Sequence, residues 1–304
     1  MITDIDGVLV GHWTDREGGT GCTVVRFPEG TVASAEVRGG APASRELELL
    51  APHRTVKRLD AVVLSGGSAF GLAAADGVMA ELEAEGVGFT TAFGVVPIVV
   101  GLSLFDLSVG DPTARPGSAE GRTACRDAQS GPVDVGLVGA GTGATVGKWR
   151  GREHAAPGGL GTATERDGDV VVAALLAVNA TGDIDDGTRT AGPVDLGSLR
   201  RTEEAFHDDG GAGGAGMENT TIGVVVTNAR LDKDGCLIVA QGGHDGMARA
   251  LFPPHTSADG DALVAAATQQ VEADLDLVRA LAVVAVERAV RSVATASDPR
   301  PAHR

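Results

Sequence analysis

Between Gly210 and Asn228 the chain reads GGAGGAGMENTTIGVVVTN: glycines, then Asn219-Thr220-Thr221, then a β-branched run. A threonine hydroxyl is a weak nucleophile unless a base stands beside it. The α-amino group of a chain terminus titrates near ~7.7–8.0, so it can take up a proton at neutral pH. A threonine made N-terminal by cleavage therefore carries nucleophile and base on one residue. The Asn219–Thr220 bond is a candidate for self-cleavage, because flexible glycines precede it and an apolar strand that must be buried follows it.

Helpers of suitable chemistry lie elsewhere in the chain. Lys148 ends the glycine-rich run GAGTGATVGK. A cation there can orient the hydroxyl, stabilise a developing oxyanion and lower the pKa of a neighbouring amine. Asn179 closes the apolar run DVVVAALLAVN, where its side-chain amide can donate to an oxyanion. Asp259 and Asp261 in HTSADGD are two apart, so an extended segment points both to one face, where they could position Lys148 and the amine. Taken singly, these residues also read as a surface charge, a strand cap and an acidic turn.

Three other patterns do not hold up. Gly139-Ala-Gly141-Thr-Gly143-Ala144 fits a dinucleotide fingerprint, but TVGKWRGREHAAPGG after it lacks the helical period that must hold a pyrophosphate. Gly147-Lys148 is followed by Trp149, where a phosphate-binding loop needs Ser or Thr. Gly66-Gly67-Ser68-Ala69-Phe70 misses the last glycine of a nucleophile elbow and reads as a tight strand-to-helix turn. His244 and His255 lack metal-ligand spacing, which leaves them capping or hydrogen-bonding roles.

The elements that must carry these groups are legible in outline. Strand-like runs are Cys22–Phe27, Asp60–Gly67, Val133–Ala140, Asp169–Val178 and Thr221–Asn228. Helical periodicity covers Ser68–Gly86 and Val271–Ala296. Strands apolar on both faces together with long Ala-rich helices predict a layered α/β protein with sheets covered by helices. Asp208–Gly216, DDGGAGGAG, predicts an exposed mobile segment.

Composition narrows the partners. With 25 Lys+Arg against 41 Asp+Glu, the net charge of −16 disfavours nucleic acid and anionic membranes and leaves a small or neutral substrate. Cys22, Cys125 and Cys236 are odd in number and far apart, so neither a disulfide framework nor a CxxC site is expected. No run reaches ~18 apolar residues and no signal-peptide pattern opens the chain, so a cytoplasmic protein without a membrane span is expected.

Eight blocks taken in order resemble one family: ITDIDGVLVGHWTD, VRGGAPASRE, VVLSGGSAFGLAAADGV, VPIVVGLSLFDL, GAGTGATVGKW, LLAVNATGDI, ENTTIGVVVTN and PPHTSADGD. It is the self-processing peptidase family S58, which holds L-aminopeptidase/D-esterases, β-peptidyl aminopeptidases and nylon-oligomer hydrolases. The resemblance spans nearly the whole chain and implies an αββα sandwich of N-terminal nucleophile hydrolase type. It implies a single domain cut into residues 1–219 and 220–304, commonly assembled as a tetramer. Thr220 would be the nucleophile, with Lys148, Asn179, Asp259 and Asp261 around it and with no metal or organic cofactor. The threonine and paired aspartates look most like the nylon-oligomer branch. The implied substrates are therefore small peptides or 6-aminohexanoate oligomers. Alternatives are an aminopeptidase of either kind, an acyltransferase using the same threonine, and an unprocessed binding or scaffold protein. Phe105 stands where family members often have tyrosine, so a phenolic donor is exchanged for an apolar wall that suits a methylene chain.

Overall fold

The computed structural model describes residues 1–185, Gly187 and 219–296. The glycine-rich Asp208–Gly216 lies outside the described residues. In chain order the principal strands are Leu9–Asp15 (β1), Thr20–Arg26 (β2), Val32–Val37 (β3), Ala43–Arg45 (β4), Ala61–Ser65 (β5), Val99–Ser103 (β6), Gly159–Asp167 (β7), Val170–Asn179 (β8), Thr220–Ala229 (β9) and Ala262–Val271 (β10). Among the described residues the α-helices are Ala74–Ala84 (α1), Ser118–Arg126 (α2), Lys233–Ala250 (α3) and Leu275–Ala296 (α4). Two five-stranded sheets result, ordered β1-β2-β5-β6-β4 and β7-β8-β9-β10-β3.

Strand periodicity explains the layers. Side chains alternate between the two faces of a strand. In β8, Val171, Ala173, Leu175 and Ala177 join Val62, Leu64, Val100 and Leu102 of the first sheet in one core between the sheets. The intervening Val172, Ala174, Leu176 and Val178 pack instead with Val239, Met247, Ala282 and Val286 of α3 and α4. Cys22, Val24 and Val63 face α1 and α2 on the far side of the first sheet. Both faces of each sheet are thus covered, and the order is helix, sheet, sheet, helix. Each fully buried Val or Leu contributes about 1.5–3 kcal/mol, which explains why β8 and β9 can be buried along their whole length.

Two expectations change. Val133–Ala140 is not a strand: it makes one isolated bridge, Gly136 to Leu160, because Gly136 turns to φ 85° and leaves Val135 and Leu137 exposed. The helix expected from Val271 begins at Leu275, because Val271 still belongs to β10 and the Asp274 carboxylate receives the Leu277 N–H at 3.0 Å. The Gly66-Gly67 turn is as expected, with the Gly67 N–H donated to Asp106 Oδ1 at 2.6 Å. Gly139–Gly141 forms a short 3-10 turn.

Candidate active site

Thr220 opens β9 directly opposite Asn179, the last residue of β8. Thr220 shares its parity with Ile222 and Val224, and Asn179 with Ala177 and Leu175, all of the inter-sheet core. Both side chains therefore turn into the mouth of the slot between the sheets. Thr220 and Asn179 are 4% and 0% exposed, so the groups at this mouth are largely out of water.

Lys148 comes from the loop before β7. That loop is hung on the chain leaving β8 by Gly147 N–H to Gly182 O at 2.9 Å and Trp149 N–H to Thr181 O at 3.0 Å. The Lys148 Nζ then reaches Asn179 Oδ1 at 2.9 Å and Asn179 O at 3.5 Å. Asn179 Oδ1 also accepts the Thr145 N–H at 2.9 Å, and its Nδ2 donates to Phe105 O, just past β6 of the facing sheet, at 2.8 Å. Asn179 thus ties the two sheets together and holds the Lys148 cation on the residue that pairs with Thr220.

The bond expected to be cut lies at this point. The Thr220 hydroxyl donates to the Asn219 carbonyl, which also accepts the Gly260 N–H at 3.0 Å. Asn219 is 3% exposed, and its side-chain Oδ1 has no hydrogen-bond partner among the described residues. A buried unsatisfied polar atom costs about 1–3 kcal/mol, which raises the energy of the intact bond's surroundings.

All the expected site residues converge, but four do so differently from the sequence reading. Asn179 was expected to offer its amide to an oxyanion, yet one N–H is given to Phe105 O and the side chain chiefly fixes Lys148. Phe105, half-buried, meets Asn179 through its backbone carbonyl. Asp259 and Asp261 do not share a face directed at Lys148. Asp259 sits in a turn closed by its own N–H to Thr256 O, and it bridges to Asn219 before β10 begins, so the segment is not uniformly extended. Its carboxylate accepts from the N–H and hydroxyl of both Thr181 and Thr256. Burial, then the charge of Asp261, push its pKa up against those bonds. Asp261 accepts the Thr221 N–H at 2.7 Å and meets His255 Nδ1 at 2.8 Å. One carboxylate therefore anchors the turn and the other the backbone just after Thr220.

Several participants escaped the sequence reading. Thr181 and Thr256 stand two and three positions from Asn179 and Asp259, and their hydroxyl chemistry was the available signal, while His255 takes the hydrogen-bonding role expected of it, on Asp261. The strap Arg38–Ala41 was visible only as a block of the resemblance. It lies along the aspartate segment, with Gly39 N–H on Asp261 O at 3.3 Å and Ala41 N–H on Asp259 O at 2.9 Å.

Behind Asp261 the His255 ring packs edge-on to His244 at 4.9 Å between centroids. Burial pushes His244 down to about 4; the nearby His255 and Arg38 also lower it, and its contact with Glu36 O and the charge of Asp261 oppose this. An unfolded imidazole protonates near ~6.5, so below that pH the unfolded chain binds the extra proton. The stability owed to neutral His244 is whole above that point and falls by about 3 kcal/mol as pH drops through the window to about 4. His244→Gln is expected to lose this component. Denaturant titrations of both proteins across the window check it, and parallel stability curves would contradict it.

Two sheets packed face to face and covered by helices on their outer sides make an αββα sandwich of the N-terminal nucleophile hydrolase type. Solved structures agree on the fold. The L-aminopeptidase D-Ala-esterase/amidase of Ochrobactrum anthropi, itself described as a variant of that fold, superposes with TM-score 0.73 at 21% identity, covering 99% of this chain and 87% of that one. The β-aminopeptidase of a Burkholderia species gives 0.71 at 23% identity, over 96% and 85%. The sequence profile of peptidase family S58 matches residues 1–300, and the chain belongs to that family, as a hydrolase of peptide-type amide bonds. It is 43% identical over 299 residues to an uncharacterised aminopeptidase of Mycobacterium leprae, covering 90% of this chain and 79% of the relative. It is 33% identical over 280 residues to a 6-aminohexanoate-oligomer endohydrolase of an Agromyces species, covering 88% and 75%.

Proposed function

We propose that the chain cuts itself between Asn219 and Thr220 and then hydrolyses amides with Thr220 as an N-terminal nucleophile. The observation that carries this reading is the position of the Thr220 hydroxyl on the Asn219 carbonyl, at a strand head facing the Lys148–Asn179 pair. In turnover the freed amine takes the hydroxyl proton while Oγ1 attacks the substrate carbonyl, then hands it to the substrate nitrogen as the C–N bond breaks and the amine product leaves. Lys148 supplies positive charge next to the attack, and water releases the acyl group from Thr220.

The substrate we favour is a small peptide or a 6-aminohexanoate oligomer. The relative acting on such oligomers supports it, as does Phe105, whose apolar ring suits a methylene chain. A second reading, an aminopeptidase, is supported by the 43% identical relative that bears that name. Incubating processed protein with 6-aminohexanoate oligomers, β-peptides and α-amino acid amides separates the two. Faster release from the oligomers supports the first, and exclusive removal of N-terminal residues from peptides supports the second. Products formed with an added amine acceptor report acyl transfer. A tetramer of processed units and a cytoplasmic location belong to the same proposal, testable by light scattering and by cell fractionation. Among the described residues no helix is long and apolar enough to cross a membrane.

A further inference from the structure

We propose that the backbone N–H of Gly260 is the oxyanion donor for self-cleavage; this rests on the reading of Thr220 as the nucleophile. The Asn219 carbonyl oxygen, on which negative charge would develop, has two donors: the Thr220 hydroxyl and the Gly260 N–H at 3.0 Å. As Oγ1 attacks, the bond from Oγ1 to the Asn219 carbon forms and the carbonyl π pair moves to oxygen. Collapse breaks the bond to the Thr220 nitrogen, which takes the proton that the hydroxyl loses. Water then cleaves the ester, leaving the Asn219 carboxylate and a free Thr220 amine and hydroxyl. The hydroxyl cannot keep donating while it becomes the ester oxygen. Gly260 N–H is the donor that stays.

The surroundings fit this task. The Asn219–Asp259 bridge stands apart from the β9–β10 ladder, whose register begins at Ile222 and Ala262. Gly260 lies between the two aspartates, and each is fixed elsewhere: Asp259 on Thr181 and Thr256, Asp261 on Thr221 N–H and His255. The carboxylates thereby act as positioning residues that aim the peptide between them. A Cβ on residue 260 would lie 2.7 Å from Thr220 Oγ1 and 2.6 Å from Ala41 O. Glycine alone lets the donor, the carbonyl and the hydroxyl meet at one place.

Deleting the N–H without adding atoms tests the assignment. Cell-free synthesis of the full chain with glycolic acid at position 260 replaces that amide by an ester. Lactic acid at position 41 does the same to Ala41, whose N–H binds Asp259 O in the same strap but does not touch the scissile carbonyl. Each removes one hydrogen bond from neighbouring backbone. The position-260 ester is expected to slow self-cleavage by about 10²–10³-fold, the loss typical of one oxyanion donor, while the position-41 ester is cut at close to the unaltered rate. Cleavage of the position-260 ester at the unaltered rate, or equal slowing by both esters, would overturn the proposal. If the unaltered chain is not cut at Asn219–Thr220 at all, it is the nucleophile reading that fails.

Discussion

Thr220→Ala is expected to leave the chain whole and to lower amide hydrolysis by at least about a thousandfold, since the proposed acyl intermediate forms on its hydroxyl. Two effects are combined in that loss: the hydroxyl is gone, and without cleavage no α-amine is generated to take its proton. Thr220→Ser separates nucleophile from side-chain shape. It restores the hydroxyl and removes only a methyl group from a site that is 4% exposed, so it is expected to process and to retain activity. Denaturing gels and rates on one amide substrate check both variants. An alanine variant that is processed and fully active would remove Thr220 from the site.

Lys148→Met carries the second largest effect. The substitution keeps the length of the side chain but deletes the charge held 2.9 Å from Asn179 Oδ1 and facing the head of β9. If Lys148 supplies positive charge to the proposed attack, its loss is expected to slow both self-cleavage and turnover by about 10²–10³-fold. Because Asn179 Oδ1 keeps the Thr145 N–H and Nδ2 keeps Phe105 O, the mouth is expected to stay folded. Thermal melting near the unaltered value together with slow cleavage would therefore assign the loss to charge. Normal rates in both steps would exclude Lys148 from the chemistry.

The chemistry was more legible in the sequence than the packing that supports it. Residue type made Thr220, Lys148 and Asn179 candidates, but each also has an ordinary structural use, and only the eight ordered blocks of the family resemblance favoured the chemical one. Their joining could not be read so far, since it depends on Asn179 standing opposite Thr220 across two strands separated by forty residues of chain. Asp259 and Asp261 lie near Thr220 as expected but bind other partners than Lys148, because period-two alternation fails at the turn before β10. The helix Lys233–Ala250 was missed altogether. Glycines at 242, 243 and 246 disguise its period, yet they serve contact: a Cβ on Gly246 would lie 2.2 Å from Val283 O of the neighbouring helix. Ala262–Val271 was missed for the opposite reason. ALVAAATQQV is rich in helix formers, and burial beside β9 overrides that preference.

The account stands on one covalent bond. Intact-mass analysis and N-terminal sequencing of the purified, unaltered protein test it directly. The account predicts two chains, the smaller one beginning Thr-Thr-Ile-Gly-Val at Thr220. A single active chain with the Asn219–Thr220 bond unbroken would contradict it.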